Sequence, residues 1–385
     1  MSDKRLSFEE FVDMVKESIK DYLPERFADA DITVEQFQKL NTHYLGLQVK
    51  RADQTVVPNI NLNARYQEYL EGGLNMARAM RTIADQVQAA PDLPTKWLSD
   101  YSQVKSHLFV RVSDAKENEA FLAMAPHKEV DGLAISYHIA FEGLHGVEAS
   151  TPVSHKMMEM YGVTVDQLHA DALENSQRLY PVRFSSLMEV MQKMLGLDPD
   201  IAAEMMPPME GPQVMVLTNM QSVYGASALF YPGQLDAIAQ QMGSDFFVLP
   251  SSVHETLILP DDGSANPDEL QFMVQEINRT EVAPEDRLSD FVYHYDAQEH
   301  ILERAETFAA RMAQKEQEAD RSSDREADKA TGSREEKTVS REGEKDEAGD
   351  RKERKSVLGR LNEKKEQVKS QPKKSGPNRA QEASI

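Results

Sequence analysis

The sequence predicts an α+β fold, and three observations carry that prediction. Strand-like segments fall in clusters, amphipathic helical stretches separate the clusters, and residues 311–385 carry almost no apolar side chains. A doubly wound sheet requires strand and helix to alternate one by one, and that alternation is missing. The expected architecture is therefore a folded body over residues 1–310, built as one or two sub-domains, followed by a disordered charged tail over 311–385.

In chain order, SFEE from Ser7 reads as a capping box, and Phe8, Phe11, Val12, Val15 and Ile19 follow at the spacing of one helix face. From Ile32 the pattern turns to alternation in ITVEQFQKLN, YLGLQVKR and VVPNINL, three short strands. A helical stretch over 63–90 is interrupted by Gly72 and Gly73. HLFVRV, EAFLAMA and DGLAISYHIAF then read as strands, and residues 155–206 as helical. VMVLTN, FFVLP and HETLILP form a second strand cluster around a helix from about Gly233 to Met242. A helix near 267–279, a strand near 291–295 and a charged helix from Ala297 complete the body.

Residues 311–385 hold 20 Lys and Arg against 17 Asp and Glu, with no aromatic side chain. Such a segment cannot bury enough apolar surface to offset a backbone ordering cost of about 1–2 kcal/mol per residue. The remainder of the chain is left with 23 basic against 48 acidic residues. A body of that sign repels phosphate backbones and anionic lipid, so nucleic-acid binding by the body is disfavoured. From 351 onward the tail turns basic, with 11 basic against 4 acidic residues. Its segment 351–369 is the one part suited to a nucleic acid or an acidic protein surface, and Val357, Leu358, Leu361 and Val368 space a short amphipathic helix there.

The chain has no cysteine, which excludes disulfides, thiolate metal sites and thiol nucleophiles and fits a reducing, cytoplasmic compartment. The N-terminus lacks a signal-type apolar core, and no run approaches the ~18 apolar residues of a membrane span. No glycine-rich phosphate loop is present, and no cofactor is expected.

Five stretches, PNINLNARYQEYLEGG, MAPHKEVDGLAISYHI, VLTNMQSVYGASALFYPGQL, FFVLPSSVHETLILP and LSDFVYHYD, resemble in order the bacterial domain of unknown function 5688 family, over about residues 8–296. Tyr161 stands where that pattern has Trp, and Ser176-Gln177 where it has Thr-Pro. More distantly, a strand ending in Thr-Asn, a helix and a strand ending in Pro are similar to the domain of unknown function 1444 family. Neither resemblance implies an activity; the first implies a cytoplasmic protein of Gram-positive gut bacteria, often beside mobile-element genes.

The residues closest to a chemical constellation are Ser251, Ser252, His254 and Glu255 in PSSVHE. A hydroxyl, an imidazole and a carboxylate are the parts of an acyl-transfer site. On a strand, however, Ser252 and His254 share a face and Glu255 points away, so Glu255 cannot orient the imidazole. His254-Glu255 also opens like a metalloprotease helix, but Ile258 stands at the second ligand position. A metal held by His127 and His254 would need Asp131 or Glu255 as well, and no metal site is expected. His127, Asn219 and Tyr224 are the candidate binding residues. The stretches 125–135 and 249–259 share a Pro, an acidic residue five positions on and a Leu two later, as two related hairpins would. Met188, Met191 and Met194, at helical spacing, read as core filler. The expected function is a non-catalytic binding or regulatory module of a mobile element with a protein partner; the alternative is a hydrolase or metal-dependent enzyme centred on the 249–259 hairpin.

Overall fold

Ser7 begins the first helix as its pattern requires. Its hydroxyl accepts from the N–H of Glu10 while the Glu10 carboxylate accepts from the N–H of Ser7, opening α1 (Phe8–Ser18). In the computed structural model, which describes residues 5–54, 57–71, 75–89, 96–141, 149–196 and 213–332, this helix packs into an N-terminal layer. Strands β1 (Asp31–Lys39) and β2 (Thr42–Lys50) form an antiparallel hairpin closed by a two-residue turn, in which Asn41 takes a left-handed φ of 61°. The short β3 (Ile60–Asn61) adds to β2, and α2 (Leu62–Glu71) and α3 (Met76–Ala89) cover the sheet. Phe11, Leu47, Leu62 and Ile83 lie at the centre of that core, fully buried. The expected glycine interruption at 72–73 falls outside the described residues.

The second sheet is organised around one strand. After α4 (Tyr101–Val104) come β4 (Leu108–Asp114), α5 (Glu119–Leu122), β5 (His127–Val130), β6 (Leu133–Phe141) and β7 (Ala149–Pro152). β6 pairs with β4 along one edge and with β5 and then β7 along the other, all antiparallel. Residues 119–125, expected as a strand, form α5 and the turn after it instead: Phe121, Leu122 and Ala125 are buried, a spacing that two-residue alternation would not produce.

Two helices, α6 (His155–Tyr161) and α7 (Val165–Leu179), lead to a six-stranded antiparallel sheet. Its elements are β8 (Val182–Ser186), α8 (Leu187–Leu195), β9 (Met215–Asn219), α9 (Gln234–Met242), β10 (Phe246–Leu249) and β11 (Thr256–Pro260). They continue through α10 (Pro267–Thr280), β12 (Tyr293–Asp296), β13 (Ile301–Arg304) and α11 (Ala305–Gly332). The strand order is β13-β12-β10-β11-β9-β8. The protein is thus α+β, with three antiparallel sheets among its described residues. The stretch expected to be wholly helical over 155–206 contains β8, and its end falls outside the described residues. Met191 and Met194 of α8 are exposed, at 40% and 82%, so that stripe is not core filler.

One core joins the second and third sheets. Val110, Ile135 and Tyr137 from the middle sheet meet Leu217, Phe246 and Tyr293 from the six-stranded one. Among the described residues the outer edge of β4 has no strand beside it, and side chains satisfy it. The Val110 N–H donates to Ser176 Oγ (3.0 Å), Ser227 Oγ donates to the Val110 carbonyl (3.0 Å), and Asn175 Nδ2 donates to the Leu108 carbonyl (2.6 Å). The turn between β5 and β6 rests on β12 and β13: Tyr293 donates to the Asp131 carbonyl and the Arg304 N–H to the Asp131 carboxylate. A side chain on Gly132, whose φ is 90°, would strike the Arg304 guanidinium.

The chain divides into units 1–318 and 319–385, the described part of the second being helix alone. The last helix starts at Ala305, eight residues after its expected start, because 297–300 turn the chain between β12 and β13. It also runs past the expected boundary at 310. Arg311 explains this: its guanidinium bonds Asp296 (2.8 Å) and Glu303 (2.6 Å), two carboxylates with side chains under 10% exposed. The rest of the expected disordered tail, 333–385, and with it the basic segment 351–369, lies outside the described residues.

Burial disfavours the ionised form of Asp296, yet the Arg311 hydrogen bond and the N–H groups of Glu299 and Gln298 outweigh it and hold its carboxyl below the usual range. That contribution is present above the unfolded value of about 4 and is lost as pH falls through the depressed folded value. Arg311→Met should therefore cost about 3 kcal/mol at pH 7, and chemical denaturation should show the difference from the native chain shrinking below pH 4. A difference that stays constant down to pH 3 would contradict the pairing.

Candidate functional site

Between the β1–β2 hairpin tip and the open face of β4 and β6 lies a cleft of about 660 Å³, within the ~300–1,000 Å³ typical of small-molecule sites. Asn41 holds its roof in place. The Asn41 N–H donates to Asn118 Oδ1 (2.6 Å), and Asn118 Nδ2 returns a bond to Asn41 Oδ1 (2.8 Å). Asn41 Nδ2 then donates to the carbonyls of Glu285 (3.0 Å) and Arg287 (2.6 Å). An Asn tolerates the left-handed turn and supplies both donors and acceptors to fix its tip.

Alternation along β4 and β6 makes the floor. Leu108, Val110, Leu133, Ile135 and Tyr137 point into the core, so Phe109, Arg111, Ser136 and His138 share the opposite face. His138 is 2% exposed and lines the cleft, stacked parallel to Phe121 with centroids 6.2 Å apart. Its Nε2 lies 3.1 Å from Ser136 Oγ, whose hydroxyl donates to the Arg111 carbonyl (3.4 Å). Nδ1 has no hydrogen-bond partner among the described residues. Burial, and then the Arg111 charge, push the His138 pKa well below its ordinary value, so the ring is neutral.

The side wall is β7. The Val153 N–H bonds the Tyr137 carbonyl, which sets the phase of the strand: Thr151 faces β6, while Ser150 and Pro152 turn their backbone outward along the cleft.

The far wall is a pair of loops pressed together. Asn219 closes the first, donating to the Val223 carbonyl (2.7 Å) and accepting from the N–H groups of Gln221 and Val223. Ser222 and Tyr224 follow with left-handed φ angles of 57° and 52°, a strain of about 1–3 kcal/mol each that concentrates at functional sites. The second loop is 250–255. Thr218 Oγ1 donates to the His254 carbonyl (2.7 Å), the Ala226 N–H to the Val253 carbonyl (3.2 Å) and the Tyr224 N–H to His254 Nδ1 (3.2 Å). His254 Nε2 then donates to Asp286 Oδ1 (3.1 Å). The Tyr224 ring stacks on His254 at 5.7 Å, and the Arg111 guanidinium carbon lies 3.6 Å from the Tyr224 centroid.

These contacts decide the roles of the residues singled out in the sequence. Strand β11 starts only at Thr256, so Ser252, His254 and Glu255 lie in a loop and not on a strand. Ser252 Oγ accepts from the His254 N–H (3.0 Å) in a local turn, and Glu255 is exposed. Both His254 ring nitrogens are engaged, one accepting from a backbone amide and the other donating to Asp286. His254 and Tyr224 line the cleft; Asn219 shapes its loop. His127 sits on β5, its Nδ1 on the Ala125 carbonyl (3.0 Å) and its Nε2 3.4 Å from Glu129. Asp131 is held by Arg304. Among the described residues no group of three His, Asp or Glu side chains comes together to hold a metal.

Sequence reading missed Asn41, Arg111, His138 and Asp286. The signal for two of them is visible in DGLAISYHIAF and HLFVRV, where small and polar residues occupy the face opposite the large apolar ones.

A family model described as a family of unknown function, DUF5688, matches residues 8–297, a span that contains every residue of the cleft. Comparisons with curated proteins and with solved structures return no match.

A Cβ on Gly225 would collide with Thr218 Oγ1 and the His254 carbonyl and come within 2.9 Å of Asn219 N. Two of those atoms belong to the backbone and cannot step aside. Gly225→Ala should lower stability by about 1–3 kcal/mol and speed amide exchange at Tyr224 and Ala226. Unchanged exchange at those two amides would show that the loops are not pinned together there.

Proposed function

The chain belongs to the DUF5688 family, whose function is unknown, and from that premise we propose that it is a non-catalytic binding module whose ligand occupies the cleft over β4 and β6. The observation that carries this reading is the state of His254. A general base needs a free lone pair within reach of a substrate proton, and here Nδ1 is taken by the Tyr224 amide. The rest of the cleft has the composition of a recognition site: aromatic walls, one buried imidazole, and a few charged groups. Strain at Ser222 and Tyr224 and the Asn41 bonds preform it, which lowers the cost of binding. The alternative, a hydrolase at the 249–259 hairpin, lacks a base of this kind, since Ser252 faces a backbone amide and not the ring.

The proposed setting is the cytoplasm, in a regulatory role beside a mobile element. The absence of cysteine supports the compartment; no helix among the described residues is long and apolar enough to cross a membrane. In the same proposal, the basic segment 351–369 meets an acidic surface, that of a protein or of a nucleic acid. A peptide of that segment should bind such a surface with an affinity that weakens as salt rises; salt-independent binding, or none, removes this part of the proposal.

Trp97 offers a direct readout, because its ring stands edge-on to Phe141, a cleft residue, at 5.9 Å. In a screen of small polar aromatic compounds against the full chain, a ligand at a hundredfold excess over its Kd should stabilise by about 2.7 kcal/mol and change Trp97 emission. Ser150→Leu, which narrows the mouth of the cleft without adding a second emitter, should abolish both effects. If no compound stabilises the chain, or if stabilisation survives in Ser150→Leu, the reading is wrong.

A further inference from the structure

His254 is held by two contacts that make opposite demands on its ring. The Tyr224 N–H donates to Nδ1 (3.2 Å), and a backbone amide has only a proton to offer, so Nδ1 must keep its lone pair. Nε2 faces Asp286 Oδ1 (3.1 Å) and carries the ring proton there. A ring turned over would set carbon against both partners, so the neutral form protonated on Nε2 is the one that fits. A second proton improves one contact and spoils the other. The bond to Asp286 becomes charge-assisted and strengthens, while Nδ1 turns from acceptor to donor and meets the Tyr224 N–H head on.

Tyr224 is the side that can give way. Ser222 and Tyr224 are held at left-handed φ angles of 57° and 52°, a conformation that lasts only where the surroundings impose it. The Asp286 contact, by contrast, is one that a charged ring keeps. The latched loop therefore goes with one ring proton and the released loop with two, so acid favours release by mass action.

The groups around the ring do not reverse this. Arg111, resting on the Tyr224 ring, Arg287 beside Asp286, and Lys39 on the hairpin tip oppose the second proton; Glu285 beside Asp286 and Glu255 beside His254 favour it. These signs offset one another, and the hydrogen-bonded Asp286 carboxylate tips the balance toward the charged ring. His138, the other imidazole lining the cleft, is kept neutral by burial and is not the responding group.

We propose that the His254–Tyr224 contact is a proton-operated latch: in neutral solution it holds the 222–224 loop in the cleft wall, and in acid a second proton on His254 ejects the Tyr224 amide and frees the loop. Its effect on a ligand rests on the reading of the cleft as a binding site; the latch itself does not.

Amide exchange on the full chain without ligand tests this, read as the protection of Tyr224 against its intrinsic rate at each pH. Protection at Tyr224 should fall by about tenfold or more from pH 8 to pH 5, the range over which an imidazole takes up its proton. The Val110 amide, buried and bonded to the Ser176 hydroxyl, should hold its protection and so separate local release from unfolding. In His254→Asn, whose side-chain oxygen can accept from Tyr224 but takes up no proton, the fall should vanish. In Asp286→Asn, which lacks the charge that favours the doubly protonated ring, the fall should move to lower pH. Constant protection at Tyr224 down to pH 5, an equal fall at Val110, or a fall that survives in His254→Asn overturns the latch. If His254→Asn does not fold, Asp286→Asn decides, and a fall at unchanged pH overturns the latch. No ligand enters any arm, so each of these outcomes leaves the cleft reading to its own screen.

Discussion

Everything around the cleft depends on two stretches of main chain lying against each other with no side chain between them. The loop after β9 meets the loop after β10 at Gly225, and three hydrogen bonds cross the contact, from Thr218, Tyr224 and Ala226. Each is worth about 1 kcal/mol net, the same order as the strain stored at Ser222 and Tyr224, so the strained shape persists only while the contact holds. From it the rest follows in sequence. Tyr224 fixes the tautomer and tilt of His254, His254 orients Asp286, and the Tyr224 ring provides the face on which Arg111 rests. Moving one loop would move all four.

Much of the architecture could be read in the chain because it is local. The capping box at Ser7, the alternation of β1, β2, β4 and β6 and the punctuation around β9, β10 and β11 each depend on residues a few positions apart. The failures share a cause. EAFLAMA and AQEHILER are short and mixed in character, so burial against distant partners chose helix α5 for one and the β12–β13 turn and strand β13 for the other. The cleft was legible in part. Tyr224 and His254 do line it, but Asn219 shapes a loop, Ser252 caps a turn and His127 stands elsewhere. The β4–β6 pairing brings Arg111 and His138 to one face, and Asp286 joins the cleft from more than a hundred residues further along the chain, which no local pattern records.

The middle sheet shows how strand edges are managed in this fold. Among the described residues β4 ends its sheet without a neighbouring strand, and hydroxyls and an amide from Ser176, Ser227 and Asn175 take the place of one. Ser176 is one of the two departures from the resembled pattern, and its hydroxyl accepts the Val110 N–H while donating to the Ala172 carbonyl. The other, Tyr161, donates to the Leu98 carbonyl. Both side chains are thus absorbed into the packing.

The phase of β7 has a consequence for the company this protein keeps. An exposed strand edge is ordinarily an invitation to any other extended chain, and cells are full of them. With Pro152 turned outward, β7 has a gap in its row of donors where the cleft opens. The opening is therefore poorly suited to backbone recognition, which reads every polypeptide alike. It can stand open in a crowded solution without collecting unfolded neighbours.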